Sequence, residues 1–214
     1  MIRFLLIATW LLVSGLPANA HPHIFVDANA GFVFNDAGDL VGVRVFWLYD
    51  TYTTLFLYDS LDLDKDRDGA LNKADLEKIR HGETAWDPGY EGDTYLWIDS
   101  KKQILSLPQE ASAHLIKDRV GVSFELHLPT PQNMAGRSAS LKLYDPSYYY
   151  AYSILGEARI LGPASRCHVW VNHFDPDTQT AILQKELSAL STEEMPEDLN
   201  IGAKFAEEIA LQCD

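Results

Sequence analysis

The sequence predicts a mainly β fold, built from antiparallel, sandwich-like sheets, with an inserted helix–loop–helix and helices at the C-terminal end. Three observations carry this. Short runs rich in Val, Ile, Phe and Tyr alternate with polar residues and are bounded by turn residues. One acid-rich window, 64–75, interrupts them and is flanked by helical spacing. The composition, with 47% hydrophobic and 22% charged residues, is that of a chain able to bury a core.

Residues 1–20 read as a secretory signal peptide. Arg3 is the basic start, Phe4 to Val13 is an apolar run short for a bilayer span, and Ala18-Asn19-Ala20 is a small-residue cleavage site. The remainder, 21–214, is expected to be a single exported, periplasmic domain with no membrane span. The 17 basic and 31 acidic residues give a net charge of −14, or −15 once Arg3 is removed. That balance disfavours nucleic acid and anionic membrane surfaces and suits cations.

Cleavage after Ala20 would expose His21-Pro22-His23. An N-terminal histidine can chelate through its α-amine and imidazole, a geometry suited to Ni, Co, Zn or Cu, and His23 could add a nitrogen. Pro22 has no amide hydrogen, so chelation through successive deprotonated amides is blocked. Odd residues 21, 23, 25 and 27 would share one strand face, which places Asp27 beside the histidines.

From His23 to Phe34 and from Leu40 to Leu48 the pattern is a hairpin around Asn35-Asp36-Ala37-Gly38-Asp39. The insertion then spans about 50–86. Thr51 to Leu61 offers Leu55, Tyr58 and Leu61 at helical spacing, and Asp75 to His81 offers Leu76 and Ile79.

Between them, Asp64, Asp66, Asp68, Ala70, Asn72 and Asp75 occupy places one, three, five, seven, nine and twelve of a twelve-residue window, with Gly69 at the sixth and Leu71 at the eighth. Ca²⁺ takes about six to eight oxygen ligands, and alternate residues of a curled loop can point inward together. Gly69 supplies the left-handed backbone of the turn. This is an EF-hand-like loop, with Ala70 giving its carbonyl. Asp75 stands where the longer Glu is usual, so weaker Ca²⁺ binding, or Mg²⁺, is expected. A lone loop of this kind staples a fold more readily than it switches a partner.

Strands are expected at Thr94–Asp99 and 103–107 around a turn at Ser100-Lys101-Lys102, then at 112–117 and 120–128, where Pro129-Thr130-Pro131 breaks the chain. Further strands fall at 138–144, 152–160 and 167–172. Residues 176–190 and 199–211 read as helices, making the segment of about 176–214 helical, with Ile201, Phe205, Ile209 and Leu211 on one face. Cys167 and Cys213 are the only cysteines. In an oxidising compartment the pair reads as one disulfide pinning the C-terminal helix, rather than a metal or redox thiolate pair, which lacks a Cys-x-x-Cys spacing.

Tyr144, Asp145, Tyr148 and Tyr149 could line an organic-ligand groove, or serve as an ordinary turn flanked by strand tyrosines. His114 could face His127 across a hairpin, and His168 and His173 flank a strand. No Gly-x-Ser-x-Gly elbow, phosphate loop, dinucleotide fingerprint or His-Glu-x-x-His occurs, so the reading leans away from an enzyme.

The opening His21-Pro22-His23-Ile24-Phe25-Val26-Asp27, the segment Val43-Arg44-Val45-Phe46-Trp47, the loop 64–75, Leu143-Tyr144-Asp145-Pro146-Ser147-Tyr148-Tyr149 and the late cysteines together resemble the DUF1007 family over essentially the whole mature chain. The resemblance implies a periplasmic setting and association with transition-metal transport, and no known reaction. The expectation is therefore a periplasmic metal-binding accessory protein serving a membrane metal transporter. The alternatives are a solute- or metallophore-binding protein using the tyrosine-rich segment, and a copper-dependent oxidative enzyme.

Overall fold

The computed structural model describes residues 21–190 and 194–214, so the signal-peptide reading lies outside the described residues. Among the described residues the structure is a mixed α/β fold with two sheets and three α-helices.

The first sheet is built around β1 (Ile24–Phe34) and β2 (Leu40–Tyr49), joined by the expected turn. β6 (Arg119–Gln132) pairs with β2, and β5 (Gln109–Ile116) closes that edge. On the other side β8 (Tyr150–Ile154) and β9 (Arg159–Leu161) both run parallel to β1, so the sheet is not purely antiparallel. The expected single strand over 152–160 is broken by Gly156, whose φ of +75° turns the chain between β8 and β9.

The second sheet has the order β10 (Cys167–Asn172), β11 (Glu208–Cys213), β7 (Ser138–Leu143), β3 (Thr94–Ile98), β4 (Lys101–Lys102). Period-two burial faces the sheets toward each other. Val26, Ala28, Ala30 and Phe32 of the first share one core with Leu96, Ile98, Leu141, Ile209 and Leu211 of the second.

Several expectations need correction. The C-terminal segment is not a helix: a 3₁₀ turn at Ile201–Lys204 leads into β11, an interior strand. Ile201, Phe205 and Ile209 fit a helical period, but Ile209, Leu211 and Cys213 also fit a strand, and insertion between β10 and β7 satisfies both edges of the backbone. Among the described residues of the expected helical tail, the one α-helix is α3 (Thr178–Ser188).

β6 also runs through Pro129-Thr130-Pro131 rather than stopping there. Its pairing with β2 shifts register between Leu40 and Gly42, and prolines are tolerated at such a bulge. Gly42 is required there, because a Cβ would lie 2.3 Å from the Leu126 carbonyl oxygen. Residues 103–107 are not a strand. The turn falls instead at Asp99 and Ser100, both at positive φ.

Helices α1 (Thr51–Ser60) and α2 (Lys73–Thr84) lie between β2 and β3. Asp50 caps α1 by accepting from the Thr53 amide at 2.8 Å. α1 buries Thr54 and Leu57, whereas Leu55, which falls at helical spacing with Tyr58 and Leu61, is 60% exposed. Ile79 of α2 is fully buried in the common core. Lys78 ties the two helices, donating to the carbonyls of Leu61 at 3.1 Å and Asp62 at 2.8 Å, where α1 ends.

Candidate metal centres

The first centre is the loop between α1 and α2. The carboxylates of Asp64, Asp66 and Asp68 present oxygens all within 4.8 Å of one another. Backbone amides organise them: Asp64 accepts from Asp68 at 3.0 Å and Gly69 at 3.2 Å, and Asp68 accepts from Ala70 at 2.8 Å. Gly69 has φ +83°, as the turn requires. Crowding shows in Asp66, whose carboxyl is raised above its ordinary pKa chiefly by the neighbouring Asp68.

Two other predicted ligands are engaged elsewhere. Asn72 caps α2 through its side-chain oxygen, and Asp75 accepts from the Asn72 amide at 3.3 Å, completing a reciprocal capping box. Asp75 is 4% exposed, and Lys78 Nζ lies 3.6 Å from it. The arrangement is thus three convergent carboxylates with Asn72 and Asp75 closing the helix end beside them.

The second centre is at the start of β1. His21 is 3% exposed, and neither ring nitrogen has a hydrogen-bond partner; His23 Nε2 is likewise buried and unpartnered. The rings are 5.0 Å apart in an edge arrangement. Burial lowers the His21 pKa, and the neighbouring His23 adds to this against an opposing pull from Asp145. A neutral imidazole keeps the lone pair that a metal ion needs. Asp27 does not join them: it forms an ion pair with Arg119 at 2.7 Å.

The Tyr144–Tyr149 segment anchors this region rather than forming one groove. Asp145 accepts from Ser147 N and Oγ and from the Tyr149 and Tyr150 amides, at 2.6–3.1 Å. That turn delivers the Tyr149 ring onto His23, stacked at 4.5 Å. Tyr144 stacks on Tyr95 and Tyr148 on Phe205. Tyr144 and Tyr148 border a cleft of about 230 Å³, while Asp145 lines a separate one of about 360 Å³.

Other histidines are dispersed. His114 pairs across the hairpin with Gly121, not with His127, and contacts Ser112 at 3.0 Å. His127 contacts Glu125 at 2.9 Å, and His173 contacts Glu207 at 2.9 Å. Cys167 and Cys213 form the disulfide, but between paired neighbouring strands rather than from a helix to the body.

Sequence reasoning missed a buried acid–tyrosine network. Asp93 is 4% exposed and accepts from the Tyr152 hydroxyl at 2.8 Å and from Tyr90; burial pushes its pKa up to about 7. Glu83 accepts from the Tyr49 hydroxyl and is also raised by burial. A lone acid in Gly92-Asp93-Thr94 carries no sequence signal, because its burial and its Tyr152 partner, 59 residues away, depend on the tertiary fold.

These features define a two-sheet α/β protein carrying an acidic cluster that could coordinate a metal ion and a buried histidine pair. Residues 6–213 match the family described as "Protein of unknown function (DUF1007)", and the chain belongs to it. It is also similar to an uncharacterized protein of Haemophilus influenzae, 23% identical over 198 residues covering 91% of this chain and 92% of that protein.

Proposed function

We propose that the protein is an exported, periplasmic metal-binding accessory to transition-metal transport. His21 and His23 bind the transported metal, and the EF-hand-like loop 64–75 holds Ca²⁺ as a structural ion. The observation that carries this is the set of three imidazole nitrogens, buried with no hydrogen-bond partner, on two adjacent histidines. Buried polar nitrogens left unpaired are costly, and a metal ion between the rings would satisfy one nitrogen of each histidine. Cleavage after Ala20 adds the α-amine of His21 to the donor set. In the loop, Asp64, Asp66 and Asp68 supply hard oxygen ligands fit for Ca²⁺. The net charge of −14 favours cation capture.

The test is elemental analysis of protein purified from the periplasm, with intact mass on the same sample. The expected result is a chain beginning at His21, calcium, and one stoichiometric Ni, Co, Zn or Cu ion that disappears in a His21→Ala/His23→Ala double variant while calcium stays. Calcium alone, with no uptake of those four metals at micromolar supply, overturns the transport reading.

A further inference from the structure

The outer face of the second sheet carries a feature separate from both metal centres. Cross-strand registers place Trp97 opposite Ser140, Ser140 opposite Ala210, and Ala210 opposite Trp170. Four residues on four successive strands therefore form one straight row. All four point away from the core, since the residues flanking each on its strand, such as Leu96, Leu141, Ile209 and Val169, are members of the core or pack against it. Three inter-strand steps of about 4.8 Å put the two tryptophans about 14 Å apart. Between them the small side chains of Ser140 and Ala210 make a low floor. The result is a trough with indole walls, and a cavity of about 670 Å³ occupies it, within the size range of small-molecule sites.

The next row is polar. Lys142 pairs in register with Glu208, and Glu208 with Asn172. Ser140 donates its hydroxyl to Glu208, and Asn172 Nδ2 donates to the other carboxylate oxygen at 3.0 Å. Asn172 in turn accepts from Trp170 Nε1 at 3.0 Å, which fixes the angle of that indole. The trough thus has an indole side chain at each end and fixed hydrogen-bonding groups of both kinds along one side.

We propose that this trough is a binding site for a β-linked pyranose chain. A pyranose ring in such a chain has two flat faces of axial C–H groups and a rim of hydroxyls. The faces match the indoles and the rim matches Lys142 and Glu208, which line the cavity. A nucleic acid would also stack, but the acidic chain and the Glu208 carboxylate in the trough repel its phosphates.

The test is isothermal titration of the whole mature protein with chitotriose and with cellotriose. The expected result is saturable binding of at least one trimer, weakened about tenfold or more by Trp97→Ala and by Trp170→Ala. Ala210→Gln, which fills the floor and leaves both walls in place, should also block binding. Circular dichroism and Ca²⁺ titration on each variant show that the fold is retained. No saturable binding of either trimer by the wild-type protein overturns the proposal, as does an unchanged affinity in the folded variants. Selective binding of extended peptides in place of both sugars overturns it equally.

Discussion

The imidazole of His23 lies on the ring of Tyr149, with centroids 4.5 Å apart and planes 27° from parallel. The backbone closes the same contact, as the His23 amide donates to the Tyr149 carbonyl at 2.9 Å. One face of the imidazole is thus fixed, and its Nε2 is left buried and unpartnered. Tyr149 acts as a positioning residue for the proposed centre. Tyr149→Ala should weaken transition-metal binding about three- to tenfold, the worth of one aromatic contact, whereas His23→Ala should abolish it. Competition titration against a chromogenic chelator measures both.

The acidic loop gives two separable effects. In EDTA, Asp75→Ala should destabilise the protein by about 1 kcal/mol, because it removes half of the capping box of α2. Asp66→Asn should leave the metal-free protein at least as stable, because it relieves the repulsion from Asp68. With Ca²⁺ at a hundred times its Kd, the wild type should gain about 2.7 kcal/mol, and Asp66→Asn should lose most of that gain. Thermal melts with and without Ca²⁺ distinguish the two. Equal Ca²⁺ stabilisation in both proteins would remove Asp66 from the site.

The disulfide joins Cys167 and Cys213 across a sequence separation of 46 residues, with their Cα atoms 4.0 Å apart. On the chain-entropy account such a link contributes about 4 kcal/mol by restricting the unfolded chain. A Cys167→Ala/Cys213→Ala variant should lose about that much in urea unfolding. β10 should open first, because among the described strands it pairs only with β11.

The parts of this fold visible in the sequence are those set by local chemistry. The β1–β2 hairpin, the Gly69 turn and the spacing of Asp64, Asp66 and Asp68 are each decided within a dozen residues. What was hidden depends on distant partners. Ile209-Ala210-Leu211 becomes a strand because β7 and β10 offer it two edges. Leu55 faces outward because the core takes Thr54 and Leu57 instead. The histidine pair was legible as donors, but its burial against Tyr149 depends on β8 lying parallel to β1.

Asp93 sets the expected pH dependence of stability. Its carboxyl is almost fully buried, and its pKa in the folded protein is pushed up to about 7. Unfolded, it titrates near 3.9. Between those values the folded state holds a proton that the unfolded chain has lost, so stability falls as pH rises from about 4 to about 7 and then levels. The Tyr152 and Tyr90 hydroxyls oppose the shift by donating to the carboxylate, while Asp145 adds to it. Glu83, also raised by burial, contributes with the same sign. The penalty above pH 7 is on the order of a few kcal/mol. Asp93→Asn keeps an acceptor for Tyr152 and cannot ionise. It should therefore be more stable than the wild type at pH 8, lose that advantage near pH 4, and flatten the profile between. Urea unfolding at half-unit pH steps measures the slope; parallel wild-type and Asp93→Asn profiles would show that Asp93 does not titrate in this window.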